Sequence, residues 1–314
     1  MRPELIFFYG TGSYFYPDAN SKLMINYNPK DWFTFIFRIH KADTVRKLFP
    51  MFIALSIYSA IVAWLELSFW KLSANSEVKN ISLMHGLLGF VISLLLVFRT
   101  NTAYDRWWEG RRQWGTLVNS CRNLAIKLQA MLPAGNTEAR AFFRVMIPNY
   151  AFGLKNHLRK LYKAEEMEAL PEGQPPLDLS KHVPNQLATR ILQKIADLQR
   201  EGQLTGDQLI VLNNELQSFT EVCGACERIQ STPIPFSYSV FIKKFIFFYI
   251  MTMPFGYVFS LGYLIIPMVV FIFFVLASLE LIAEEIEDPF GFDANDLPTD
   301  TISNNIRKHV GELL

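Results

Sequence analysis

The sequence predicts an all-α membrane protein with four transmembrane helices per subunit and a large cytosolic helical region between the second and third. Three observations carry that reading. Of 314 residues, 51% are hydrophobic and 27 are Phe, more apolar surface than a soluble exterior of this size dilutes. Long charge-free runs stand at 48–65, 81–98 and 245–279. No alternating strand pattern of useful length interrupts them.

Leu48 to Leu65 and Ile81 to Phe98 are each 18 residues long, the second with His85 as its only ionisable group. About 20 apolar residues span a hydrocarbon core of ~30 Å, so each run fits one crossing. Phe245 to Leu279 runs 35 residues without a charge and is punctuated by Pro254, Gly256 and Gly262. It reads as two helices, roughly 235–253 and 257–281, joined by a tight apolar turn, with Pro267 kinking the last.

Lys and Arg near the crossings set the orientation. Residues 1–47 carry Arg2, Lys22, Lys30, Arg38, Lys41, Arg46 and Lys47, whereas the 70–80 loop has Lys71 and Lys79. Arg99, Arg106, Arg111 and Arg112 follow the second crossing. Both termini and segment 99–233 are therefore expected in the cytoplasm. The early stretch LIFFYGTGSYFY is broken by Gly and Tyr, unlike a cleaved signal peptide. The expected organisation is a cytosolic N-terminal segment (1–47), helices 1 and 2 (48–98), a cytosolic helical region (99–233), helices 3 and 4 (234–282) and a cytosolic tail (283–314).

The middle of the chain mixes apolar and charged positions at helical spacing over 104–132 and 137–168. Pro133, Gly135 and Asn136 break between those two segments. A proline-rich loop follows at 171–184, then amphipathic helices at 185–200 and 205–229. Thr205, three residues before Gln208, has the pattern of a capping box. A net charge of +1 without a basic patch argues against a nucleic-acid partner. Three cysteines form no disulfide framework, which suits a reducing cytosol.

Cys223-Gly-Ala-Cys226 has the spacing of half a zinc site or of a redox pair. No matching ligands stand beside it in the sequence, and His157 and His182 form no cluster with it. The pair reads as two small residues packed on a helix, and His85 as a satisfied histidine on an apolar helix. With no polar catalytic cluster and no phosphate loop, neither an enzyme nor a cofactor is expected.

The stretch 86–115, GLLGFVISLLLVFRTNTAYDRWWEGRRQWG, runs from a membrane helix through an Arg-Thr-Asn turn into an aromatic, Arg-rich helix. Together with 226–238, CERIQSTPIPFSY, and 284–298, EEIEDPFGFDANDLP, it resembles the bestrophin family in its bacterial branch. The resemblance covers about residues 30–300. It implies a homopentamer in the lipid bilayer of the bacterial inner membrane, with the second crossing lining one central pore for inorganic ions. Its hydrophobic neck maps onto Phe90, Leu94 and Phe98, and a cytosolic constriction onto Ile234. Spacing agrees for the neck, since residues four apart share a helical face; Gly86 and Ser82 continue that face. Arg99 and Arg106 are candidates either for concentrating anions in the inner vestibule or for anchoring the helix. Trp107, Trp108 and Trp114 read as packing residues.

The family's calcium clasp maps onto Asp288, Asp293 and Asp296. Phe292 and Ala294 interrupt the acidic run of the animal proteins, so calcium gating is not expected. The family is best known for chloride and bicarbonate conduction. A monovalent cation channel of the same architecture is the alternative, and a non-conducting scaffold or membrane-bound enzyme the alternative of another class.

Overall fold

The computed structural model describes residues 43–69 and 81–314. Most of the 1–47 segment and the 70–80 loop, with their lysines and arginines, lie outside the described residues. Among the described residues no strand occurs, and eight α-helices form two packed bodies.

The membrane body is built from three stretches long and apolar enough to cross a bilayer: Thr44–Phe69, Ile81–Met131 and Phe236–Glu287. Helix α1 (Asp43–Trp64) ends in a π turn, Leu65–Phe69. It buries Leu48, Leu55, Val62 and Ala63 and exposes Phe49, Ile53, Ile57 and Ile61, one row at a spacing of four. Such an exposed apolar row is stable against lipid and costly against water.

Helix α2 (Ile81–Met131) is 51 residues long and unbroken. The expected turn at Arg99-Thr100-Asn101 is absent: the helix continues through it, with Thr100 and Thr102 donating their hydroxyls to the carbonyls of Leu96 and Phe98. Both halves of the helix bury a seam, and that packing holds them in line.

Helix α6 (Phe236–Leu261) runs through Pro254 and Gly256, and the break falls later, at the 3-10 turn Gly262–Leu264. Gly262, at φ +56°, adopts the left-handed conformation that ends helices. Helix α7 (Ile265–Glu287) returns antiparallel, as the Lys243–Glu284 ion pair of 2.9 Å between the far ends attests. Two expectations are corrected here. Pro254, not Pro267, is the proline inside a helix; Pro267 sits in the first turn of α7, where its missing N–H breaks nothing. Gly256 allows the close crossing of α6 over α2, since a Cβ there would meet the Ser82 amide at 3.0 Å. His85 is buried, with its ring nitrogens 3.0 Å from the Ile81 carbonyl and 3.0 Å from the Thr252 hydroxyl.

The second body packs the second half of α2 against α3 (Thr137–Leu158), α4 (Val183–Arg200), α5 (Gly206–Ser231) and α8 (Thr299–Leu313). Helix α3 stops at Leu158, about three turns before the periodicity suggests; Lys160 follows at positive φ and turns the chain away. The 159–182 connection returns to α3 through paired bonds of 2.9 Å between the Asn149 amide and the Glu168 backbone. The α5 start is a capping box, Thr205 and Gln208 each bonding the other's backbone. The core centres on Trp114, Phe143, Tyr150 and Phe219; the Tyr150 hydroxyl donates to the Phe219 carbonyl at 2.6 Å.

Candidate functional site

A helix in a packed body has one covered side, and the first half of α2 shows which. His85, Ile92, Leu96, Arg99 and Ala103 are buried against α6 and α7. The opposite line carries Phe90, Leu94 and Phe98, which are 68%, 45% and 56% exposed. Gly86 lies open on the same line, with nothing within 4 Å of a Cβ built on it. Ser93 and Thr102, beside this line, donate their hydroxyls to the carbonyls of Gly89 and Phe98. What the face offers is therefore apolar side chains flanked by hydroxyl oxygens.

The two arginines turn inward. Arg99 is 1% exposed, donates to the Glu287 carboxylate at 2.7 Å and lies 3.6 Å from Glu280. Arg106 donates to three backbone carbonyls, of Glu287 (3.0 Å), Ile229 (2.7 Å) and Thr232. Together they fasten α2 to the end of α7 and to the turn leading into α6. Sequence reasoning missed Glu280 and Glu287 as partners. The signal was present: the two stand seven apart, on one face of the last apolar helix.

Ile234 is buried between Ala103 and Ala283, and its N–H donates to Glu287 at 2.7 Å. Its neighbours Pro233, Pro235 and Phe236 are exposed. Trp114 belongs to the core of the second body, Trp107 donates to the Asn295 carbonyl at 2.9 Å, and Trp108 is exposed.

Asp288, Asp293 and Asp296 share one tight turn, and their carboxylates do not converge as a ligand set. Asp296 is buried, accepts the Asp293 N–H at 2.6 Å and packs on Gly291. Burial, then the neighbouring carboxylates, push it up to about 8, although the Asp293 amide pulls the other way.

Cys223 and Cys226 are buried and unpaired in the core. The histidines cluster with each other and with Glu227 rather than with the cysteine pair, a meeting of which the sequence holds no sign. The 159–182 connection brings His182 back to His157, and the Nε2 atoms of both reach one oxygen of Glu227, at 2.6 and 2.7 Å. Burial opposes the Glu227 charge, but the two imidazoles outweigh it and hold the carboxyl below its ordinary range. Ligand groups 25 and 45 residues apart leave no spacing motif to read.

The family model for the bacterial/fungal bestrophin protein matches residues 24–312. The chain belongs to the bestrophin family. Its bestrophin relatives include a voltage-dependent anion channel-forming protein of Nostoc sp., 31% identical over 297 residues, covering 90% of this chain and 92% of the relative. One so named from Synechocystis sp. is 36% identical over 238 residues, 71% of this chain and 75% of that one. Among solved structures, a bacterial bestrophin homologue from Klebsiella pneumoniae superposes with a TM-score of 0.76 at 28% identity, covering 85% of this chain and 98% of that one. The all-helical bestrophin fold and a membrane location follow.

Proposed function

We propose that the chain is one subunit of a homopentameric channel that conducts anions, chloride among them, across the bacterial inner membrane. The observation that carries this reading is the uncovered apolar line on α2. Phe90, Leu94 and Phe98 form one exposed line opposite the side of α2 that packs on α6 and α7, which leaves them open to neighbouring copies of the chain. In a ring of five chains they become three stacked apolar collars, a neck that gates by excluding water. The relatives' names, as anion channel-forming proteins, support the ion class.

The α6–α7 hairpin, added to α1 and the first half of α2, makes four crossings, with both termini and the 99–233 region in the cytoplasm. The second narrowing lies at the 233–236 turn, with Ile234 as its constriction residue and the Glu287 carboxylate holding the turn in place. Arg99 and Arg106 act in this reading by positioning the neck and that turn.

A second reading, monovalent cation conduction, has one observation in its favour. Both arginines are engaged with Glu280, Glu287 and backbone carbonyls, and apolar collars alone do not choose a sign. The reversal potential of the purified protein in a planar bilayer under a potassium chloride gradient decides between them. A reversal near the chloride equilibrium potential is the expected result; one near the potassium potential overturns anion selectivity in favour of the cation reading.

A further inference from the structure

His157, His182 and Glu227 stand apart from the neck and the membrane body. They come from the last turn of α3, the N-cap of α4 and the last third of α5. Their ligand atoms all lie within 4.8 Å of one another, and the two imidazoles stand 4.3 Å apart at 53°. Two ring nitrogens aimed at one carboxylate oxygen from different elements are more than a surface ion pair needs.

The geometry points to a binding site for a divalent transition metal of the zinc type, held by the Nε2 atoms of His157 and His182 and the carboxylate of Glu227. Two imidazoles and a carboxylate are the donors such borderline cations take, with water filling the fourth tetrahedral position. Bonds of about 2.0–2.1 Å set ligand atoms roughly 3.3 Å apart in a tetrahedron, so the present 2.6–2.7 Å contacts need open by only a fraction of an ångström. The side chains are 25%, 30% and 37% exposed, which leaves that freedom and a path for the ion.

The proton balance is simple. In the metal-free chain Asn185 N–H donates to Nδ1 of His182 at 3.1 Å, which places that ring's proton on Nε2, toward Glu227. Metal binding at Nε2 shifts the proton to Nδ1, so α4 gives up its side-chain cap. For His157 the same shift turns Nδ1 into a donor toward the Tyr162 hydroxyl, now 3.4 Å away. Cys223, one turn before Glu227, is buried in the core and lies outside the group of converging ligand atoms, so the donor set is nitrogen, nitrogen, oxygen.

The test is a zinc titration of the purified full-length protein in detergent, in competition with a chromophoric chelator, repeated on Glu227→Gln and His182→Ala. One zinc per chain in the wild type, with affinity weakened at least ~10-fold in both variants, is the expected result. Glu227→Gln keeps the shape and a hydrogen-bond acceptor for the imidazoles, so a folded variant is available, checked by its melting temperature. No zinc uptake by the wild type, or wild-type affinity in the folded Gln variant, overturns the site.

Discussion

The two halves of α2 bury the same kind of stripe and differ in what they leave outside. Residues 81–103 hide His85, Ile92, Leu96, Arg99 and Ala103; residues 110–128 hide Gly110, Trp114, Leu117, Cys121, Leu124 and Leu128. Spacings of three, four and seven run through both, so one seam continues from the membrane body into the second one. The exposed sides part company. The first half shows Leu83, Leu87, Phe90, Leu94 and Phe98, the second Arg111, Arg112, Thr116 and Asn119. Packing logic is thus common to both halves, and only the medium changes. An exposed apolar side chain in the first half suits lipid or a neighbouring subunit, while a buried one in the second is costly to remove.

The largest effect breaks the comparison directly. Trp114→Ala removes a fully buried indole from the core of the second body and is expected to cost about 3–5 kcal/mol, seen as a steep loss of melting temperature. Leu94→Ala, one seam over, is expected to cost less than ~1 kcal/mol in fold stability, yet to raise single-channel conductance by widening the neck. An unchanged current in Leu94→Ala removes that residue from the pore face. Equal stability losses in the two variants end the distinction between the halves.

Arg99 sharpens it at the junction. Its guanidinium is buried between Glu287 and Glu280, so Arg99→Ala leaves two carboxylates facing each other in a closed space. Removing one member of such a group costs about 3 kcal/mol. The melting temperature in detergent should fall while the reversal potential stays put. A shifted reversal potential instead assigns the Arg99 charge to the permeating ion.

The boundary between legible and hidden follows the range of the interactions. Apolar runs, the α5 capping box and the loop at 171–184 are written in neighbouring residues and were read from them. The break between α6 and α7 was misplaced because Pro254 and Gly256 look like punctuation. In the structure Gly256 serves a helix crossing, and Gly262, with its positive φ, makes the turn. The continuity of α2 through Arg99-Thr100-Asn101 was also hidden, since only the long-range packing of its two seams keeps it straight. The same holds for the site residues. Phe90, Leu94 and Phe98 share a face by spacing alone, whereas the Arg99 partners and the His157–His182–Glu227 meeting depend on distant segments. The neck assignment rested on family resemblance rather than on periodicity, because every face of that helix is apolar.

A smaller effect tests electrostatics in the second body. Asp300 pairs with the buried Lys155 and with Arg159, each at 2.7 Å, and Glu166 also holds Lys155 at 2.6 Å. Burial opposes the Asp300 charge, but these cations outweigh it and hold the carboxyl below its ordinary range. A lowered carboxyl stabilises the fold above its unfolded value of about 3.9, and that contribution is lost as pH falls through the folded value. Asp300 is half-exposed and Glu166 remains, so Asp300→Asn is expected to cost only about 1–2 kcal/mol at pH 7. The gap in melting temperature should close as the pH falls below about 4; a gap constant with pH assigns the loss to packing instead.

The smallest expected effect is local. Thr205 accepts the Gln208 N–H at 3.2 Å, and Gln208 returns a bond to the Thr205 N–H at 2.9 Å. Thr205→Ala removes one of the two, costing about 1 kcal/mol. Because α5 carries Phe219 and Val222 into the core and ends at the turn before α6, fraying at its start is insulated from the neck by more than five turns of helix. Amide exchange should quicken over the first turn of α5 while conductance is unchanged. A conductance change in this variant means that the second body transmits strain along α5 to the 229–236 turn. The two halves of the molecule are then mechanically one.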